Sequence, residues 1–216
     1  MSPKPSTASM PEPLGAPAPP GRAARRERAT RETTVTVALD LDRPGTPSVE
    51  TGLPFFDHML EQLGKHAGLS LSLAAEGDLE VDAHHTVEDV GIALGECLAE
   101  ALGERRGIRR FSSLALPLDE SLVEVALDIS GRPYLHYAIY FPPGHLPLGQ
   151  PAFDPQLAEE FWRAFATGAR LTLHLGARYG RNAHHLLEAS FKAVARALSE
   201  ACRVEGEDVP STKGVL

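Results

Sequence analysis

Two short runs of this chain, Asp82 to Asp89 and Asn182 to Ala189, repeat the order His-His-x-x-Glu at a distance of 100 residues. Together they hold four of the nine histidines. Histidine and glutamate are the side chains that divalent metals of intermediate hardness accept. A motif that recurs in matching apolar surroundings predicts a duplicated half-domain that builds a two-metal site. The order His-Glu-x-x-His of a zinc protease does not occur, so that chemistry has no motif behind it.

On a helix, residues four apart share a face. His84 and Glu88 can therefore hold one ion while His85 points about a quarter-turn away, and the same holds for His184, Glu188 and His185. Under a twofold relation between the halves, His84 and Glu88 join His185, and His184 and Glu188 join His85. Mixed imidazole and carboxylate ligation with open positions favours Mn²⁺ or Fe²⁺ over a closed structural zinc. Asp82 and Asn182 are expected to cap the two helices. Asp89 is expected to hold a ligand histidine through its second ring nitrogen.

The elements that must position these residues are themselves duplicated. Val37-Ala38-Leu39-Asp40 returns as Val125-Ala126-Leu127-Asp128, each followed by Arg-Pro, and both segments alternate as half-buried strands do. Leu71-Ser72-Leu73 stands 13 residues before His84, and Leu171-Thr172-Leu173 stands 13 before His184. Apolar stripes at Val87, Leu94, Leu98 and Ala101, and at Leu187, Val194, Leu198 and Ala201, predict a helix after each motif. Two further helices are expected, from Phe55 to about His66 and from Asp154 to about Thr167. Gly103 and Gly107 suit the stop and turn after the first motif helix. The fold class expected is α+β, a two-layer sandwich of two half-repeats, about 30–106 and 118–205, related by a pseudo-twofold. Residues 104–120 and 141–153 are read as connections, and 206–216 as a C-terminal arm.

Composition limits what this fold can serve. Hydrophobic residues make up 43% and charged residues 23% of 216, with a net charge of −8. Residues 1–29 hold five basic and two acidic residues, so the body is more acidic than the whole and a poor partner for nucleic acid. No apolar run has the length of a membrane span. Cys97 and Cys202 fall in apolar helical patterns and read as reduced core residues of a cytoplasmic protein. Seven of the 18 prolines lie in the first 20 positions, so residues 1–27 are expected to be a disordered tail. That tail lacks the apolar stretch of a secretory signal.

Several strings taken together resemble imidazoleglycerol-phosphate dehydratase, the histidine-biosynthesis enzyme. They are Arg31-Glu32-Thr33, Phe56-Asp57-His58-Met59-Leu60, Asp82 to Asp89, Gly107-Ile108-Arg109-Arg110-Phe111 and Ser130-Gly131-Arg132-Pro133-Tyr134. Asn182 to Glu188, Phe191-Lys192-Ala193 and Pro210 to Leu216 complete the set, which runs from about Arg28 to the last residue.

The resemblance implies dehydration of D-erythro-imidazole glycerol phosphate to imidazole acetol phosphate, with two Mn²⁺ ions per active site, or Fe²⁺ or another divalent metal. It implies that the substrate ring, held as imidazolate between the metals, becomes the electron sink for loss of water. Glu32 matches the family's acid/base residue. His58 matches a fourth ligand for the site of His85, His184 and Glu188. The counterpart of His58 falls 24 residues before His184, at Glu160, where many family members have histidine. Glu160 is a competent ligand in its place, and Glu159 competes because the helix register is open. Arg110 and Arg132 match phosphate contacts, and Ser211 with Lys213 match a loop that closes on the phosphate. Gln62 and His66, following His58 on its helix, match a substrate-lining stretch, with His66 read equally as a helix-end cation favoured by the dipole; Lys192, one turn past Glu188, is read as a substrate contact or as an exposed helix residue. His174, in a strand close to the second motif, is read as a support behind the ligands or as structural, and His136 and His145 carry no argument. The family forms homo-oligomers, trimers built into a 24-subunit shell, with metal sites at subunit contacts.

Two other readings compete with the dehydratase. A non-catalytic di-metal module gives no reason for Glu32, Arg110, Arg132, Ser211 and Lys213. A di-metal phosphoesterase would be richer in aspartate ligands. The short unpatterned stretch before the match predicts a monofunctional enzyme.

Overall fold

The computed structural model describes residues 21–141 and 143–216. Its elements fall into two series of the same order: β1 (Ala23–Ala29), β2 (Thr33–Asp40), β3 (Ser48–Glu50), α1 (Pro54–Ala67), β4 (Ser70–Gly77) and α2 (His84–Leu102). Then come β5 (Phe111–Leu118), β6 (Ser121–Asp128), β7 (Tyr134–Ala138), α3 (Leu157–Ala169), β8 (Thr172–Tyr179) and α4 (Ala183–Ala201). The first sheet has the strand order β1-β2-β4-β3 and the second the order β5-β6-β8-β7. In each sheet the last pair is parallel and the others antiparallel. Identical order and polarity establish the duplication that the motifs implied.

Thr33, Val35, Val37 and Leu39 alternate inward along β2, giving its sheet one buried face. α2 packs on β1 and β2, and α4 packs on β5 and β6, so each half is a two-layer unit. The halves meet helix to helix, α1 on α4 and α2 on α3, with the sheets outside. Between α2 and α3 the backbones come close. A Cβ on Gly95 would stand 2.5 Å from the carbonyl oxygen of Phe165, and one on Gly91 would stand 2.8 Å from that of Phe161. Phe161, Trp162 and Phe191 fill the space between α3 and α4, with Trp162 and Phe191 ring centroids 4.7 Å apart.

The helix ends follow local chemistry. Pro54 opens α1, and Gly68 closes it at φ +70°, where its N–H and that of Leu69 reach back to carbonyls of the last turn. Asn182 caps α4, its side chain accepting the N–H groups of His184 and His185. α2 has no such cap, because Ala83 and not Asp82 precedes it in the N-cap position.

Three boundaries differ from the sequence reading. Residues 1–20 of the expected tail lie outside the described residues, whereas Ala23–Ala29 form β1, paired with β2 along its length. The expected connection 104–120 contains β5, the counterpart of β1, so the second half starts earlier than residue 118. Leu71 corresponds to Leu173 and not to Leu171, because Leu71 pairs with Leu39 while Leu173 pairs with Leu127. That two-residue slip keeps the inward face and is invisible to a hydrophobic pattern of period two.

Candidate metal centre

α1 and α4 lie side by side, and each sends one face of polar residues into their seam. On α4 these are His184, Glu188 and Lys192, and on α1 they are His58, Gln62 and His66, each set spaced by four. His184 Nε2 stands 3.0 Å from Glu188 Oε2, and His58 Nε2 stands 3.9 Å from the same oxygen. Ligand atoms of His58, His184 and Glu188 all lie within 4.8 Å of one another. Among the described residues this is the one group of three or more such side chains so close. Phe55 meets the His184 ring edge-on at 5.2 Å between centroids and limits its rotation.

The electrostatics of this triad suit a cation. Burial raises the Glu188 carboxyl, but Lys192 at 2.6 Å, together with His184 and His58, outweighs it and holds the group below its ordinary value. Glu188 is therefore ionised at neutral pH. His66 bonds Gln62 at 3.1 Å; burial and then the nearby Lys192 push its ring below the usual histidine range. Two imidazoles and a carboxylate form the mixed donor set that Mn²⁺ and Fe²⁺ accept, so these residues fit such an ion.

The second motif histidine of each half is held by a carboxylate at its Nδ1. His85 Nδ1 lies 3.0 Å from Asp78 Oδ2, and this contact raises its pKa. His185 Nδ1 lies 2.6 Å from Glu120 Oε2, and the bond holds Glu120 far below the usual carboxylate range. Asp78 and Glu120 were missed by the motif reading. Glu120 has a signal in the repeat: it stands 88 residues after Glu32, as Val125 stands 88 after Val37. Asp78 has none, since nothing repeats it.

Asp89 does not hold a histidine. It accepts from Arg28 Nε at 2.8 Å and from the hydroxyl of Thr33, and so ties the β1–β2 turn to α2. That turn carries Glu32, whose carboxylate stands 3.8 Å from His85 Nδ1. His84 stands edge-on to His85, with 6.4 Å between ring centroids, and Glu88 is exposed on the same helix. Glu160 lies on α3, which packs on α2 as α1 packs on α4, so it stands on the helix beside the one that carries His84 and Glu88. Its nearest ionic partner is Arg163 at 3.7 Å, and Glu159 also pairs with Arg163. Neither glutamate joins a three-ligand group within this chain.

Arg110, Arg132, Ser211 and Lys213 line one cleft. Arg110 is fixed there by two bonds to Asp128, at 2.7 and 3.2 Å, and by Nη1 donating to the carbonyl of Pro210 at 2.8 Å. The arm that brings Lys213 runs against Gly107, whose N–H donates to the Asp208 carbonyl at 2.8 Å. Gly107 sits at φ +64° with the Gly206 backbone where a side chain would be, so only glycine serves there. The cleft lies at the Asp128 end of β6, whereas Glu120 and His185 lie at its Ser121 end. Eight residues of strand separate them, a span of about 25 Å.

A sequence model described as imidazoleglycerol-phosphate dehydratase matches residues 51–198, a stretch that includes His58, both motifs and Lys192. This chain belongs to that family. A protein of that name from Anaeromyxobacter sp. (strain Fw109-5) is 52% identical over 202 residues, covering 94% of this chain and 96% of the relative. The imidazoleglycerol-phosphate dehydratase of Gluconobacter oxydans is 51% identical over 198 residues, covering 90% of this chain and 98% of its own. The crystal structure of the Staphylococcus aureus enzyme superposes with a TM-score of 0.75 at 36% identity, covering 84% of this chain and 99% of that one. The Pyrococcus furiosus structure, in complex with (S)-C348, gives 0.75 at 35% identity, over 88% of this chain and all of that one. Family and fold thus agree with the expectation drawn from the strings, and the dehydratase is an enzyme of the lyase class.

Proposed function

We propose that this chain dehydrates D-erythro-imidazole glycerol phosphate to imidazole acetol phosphate and water in histidine biosynthesis, with two divalent ions, Mn²⁺ foremost, at each active site. The observation that carries the reading is the His58, His184 and Glu188 triad, built across α1 and α4 with an ionised carboxylate at its centre. When bound, the ions would act as Lewis acids on the substrate's imidazole ring.

The remaining roles belong to the chain itself. His58, His85, His184 and Glu188 hold one ion; His84, Glu88, His185 and Glu160 hold the other, with glutamate where many relatives have histidine. Glu32, at the tip of an anchored turn and with its side chain 56% exposed, moves protons at the substrate's carbon skeleton. Gln62, His66 and Lys192 line the approach along the seam. Arg110, Arg132, Ser211 and Lys213 bind the phosphate.

The length of β6 supports a homo-oligomer. A substrate of one ring, a glycerol chain and a phosphate cannot bridge the roughly 25 Å between the metal-side histidines and the arginine cleft of one chain. A second copy must then bring its cleft to the first copy's histidines. Two buried thiols support a cytoplasmic setting, and among the described residues no helix is long and apolar enough to cross a membrane.

The test is turnover. Mn²⁺-loaded protein is incubated with imidazole glycerol phosphate and the acetol product is followed. Full metal occupancy without product would overturn the assignment.

A further inference from the structure

Glu32 and Glu120 stand at equivalent places. Each is the second residue of the turn between the first two strands of its half, Arg31-Glu32 closed by Thr30 and Thr33, Asp119-Glu120 closed by Leu118 and Ser121. Their surroundings differ. Glu120 Oε1 accepts the N–H of Asn182 at 2.9 Å, the N–H of Arg181 at 3.2 Å and the hydroxyl of Ser121 at 3.1 Å. Its other oxygen faces His185 Nδ1 at 2.6 Å. Glu32 makes no contact with His85 shorter than 3.8 Å, because Asp78 already occupies that ring nitrogen.

Asp78 comes from a loop that only the first half has room for. β4 ends at Gly77, seven residues before His84, whereas β8 ends at Tyr179, five residues before His184. The two additional residues let the β4–α2 connection swing Asp78 under His85. The shorter β8–α4 connection instead spends Asn182 on the helix cap and leaves the ring to Glu120.

We infer that Glu120 is a positioning residue: by accepting the Nδ1–H of His185 it fixes the tautomer whose Nε2 is free to bind a cation. Asp78 performs the same task for His85, and this substitution releases Glu32, the duplicate of Glu120, for proton transfer. A hydrogen bond at one ring nitrogen sets which tautomer the other presents to a metal. The inference rests on the proposed reading of His85 and His185 as ligands and Glu32 as the acid/base group.

The experiment has a metal-free arm and a metal arm. Solid-state ¹⁵N spectra of imidazole-labelled, metal-free protein are recorded at a pH where the rings are neutral, with His185→Ala identifying the His185 signal. The wild type keeps the Nδ1–H form; Glu120→Ala yields a mixture of tautomers, and Glu120→Gln, whose single amide oxygen is taken by the N–H groups of Arg181 and Asn182, turns its NH2 to the ring and favours the Nε2–H form. Mn²⁺ affinity falls about 10- to 100-fold in both Glu120→Ala and Glu120→Gln. Glu32→Ala changes neither the tautomers nor the affinity. A folded Glu120→Ala protein with the wild-type tautomer overturns the inference. If that variant fails to fold, the double variant Asp78→Ala with Glu32→Ala carries the test: with Glu32 also gone, the carboxylate nearest the vacated nitrogen cannot replace Asp78, and the His85 tautomer must change while that of His185 does not; an unchanged His85 overturns the inference equally. Wild-type Mn²⁺ affinity in His185→Ala has a different meaning: it removes His185 from the ligand set and takes the positioning role with it.

Discussion

Glu32 and Glu120 are one residue of the repeat seen twice, and only Glu120 lies within hydrogen-bonding distance of a histidine ring. Duplication gave the fold two equivalent carboxylates at two equivalent turns. A loop difference of two residues then assigned them different neighbours. The helix seams diverged in the same way. α1 and α4 keep three tiers of polar residues between them, whereas below Glu88 the α2–α3 contact turns to Ile92, Ala164 and Gly168, packed backbone to backbone. Polar groups therefore survive along one seam, and the other became core.

Metal stoichiometry separates the ligand assignments. His58→Ala and Glu188→Ala are each expected to lose roughly half of the tightly bound Mn²⁺ measured by metal analysis. Glu160→Ala should lose a similar share while Glu159→Ala keeps it, since Glu159 is engaged by Arg163 on the helix surface. Equal stoichiometry in the two glutamate variants would remove Glu160 from the site.

The arginine cleft distinguishes binding from scaffolding. Lys213 is exposed and its ammonium holds no structural contact among the described residues, so Lys213→Ala should lower kcat/KM by about 10- to 100-fold, mainly through KM. Its unfolding midpoint should not move. Arg110→Ala should lose activity and also unfold at a lower temperature, because Arg110 ties Asp128 to the C-terminal arm. An Arg110→Ala protein as stable as the wild type would contradict that tie.

Gly95→Ala tests the close approach of α2 and α3. Alanine favours a helix by about 1 kcal/mol over glycine, yet its Cβ would stand 2.5 Å from the Phe165 carbonyl oxygen and 2.8 Å from the Ala169 nitrogen. Moving two packed backbones apart costs about 1–3 kcal/mol by analogy with overpacked cores. The crowding should offset or exceed the helical gain, so urea denaturation should show no stabilisation; a clear increase in stability would show that the helices are not in contact there.

Both thiols are buried, and burial pushes Cys97 and Cys202 up to about 12 from an ordinary 9.0. At pH 8 neither should react with a thiol reagent until denaturant is added. The unfolded chain gives up these protons first, so stability should fall as pH rises from 9 toward 12. Rapid labelling of the native protein at pH 8 would show that one thiol is accessible.

The repeated His-His-x-x-Glu determined a great deal unaided. It marked the duplication, put His184 and Glu188 on one helical face, and with the strings around His58, Arg110 and Lys213 identified the family. These are properties of local spacing, and a helix converts spacing into direction without help from the rest of the chain. The edge strands β1 and β5 were not legible. Arg25, Arg26 and Glu27 face solvent on a strand with a single neighbour, so they look like a charged leader. In β5, Pro117 and the paired serines suggest a connection.

What the tertiary structure decided was which partner each side chain meets. His58 reaches Glu188 across 130 positions of sequence because α1 and α4 pack together. His185 finds Glu120 because a hairpin turn and a helix start converge, while Asp89, beside its own motif, turns to Arg28 and Thr33 instead. Spacing along the chain carries no information on such meetings, since they depend on how the sheets register and how long each loop is. Two residues of loop were enough to decide which glutamate would hold a ring and which would be left free.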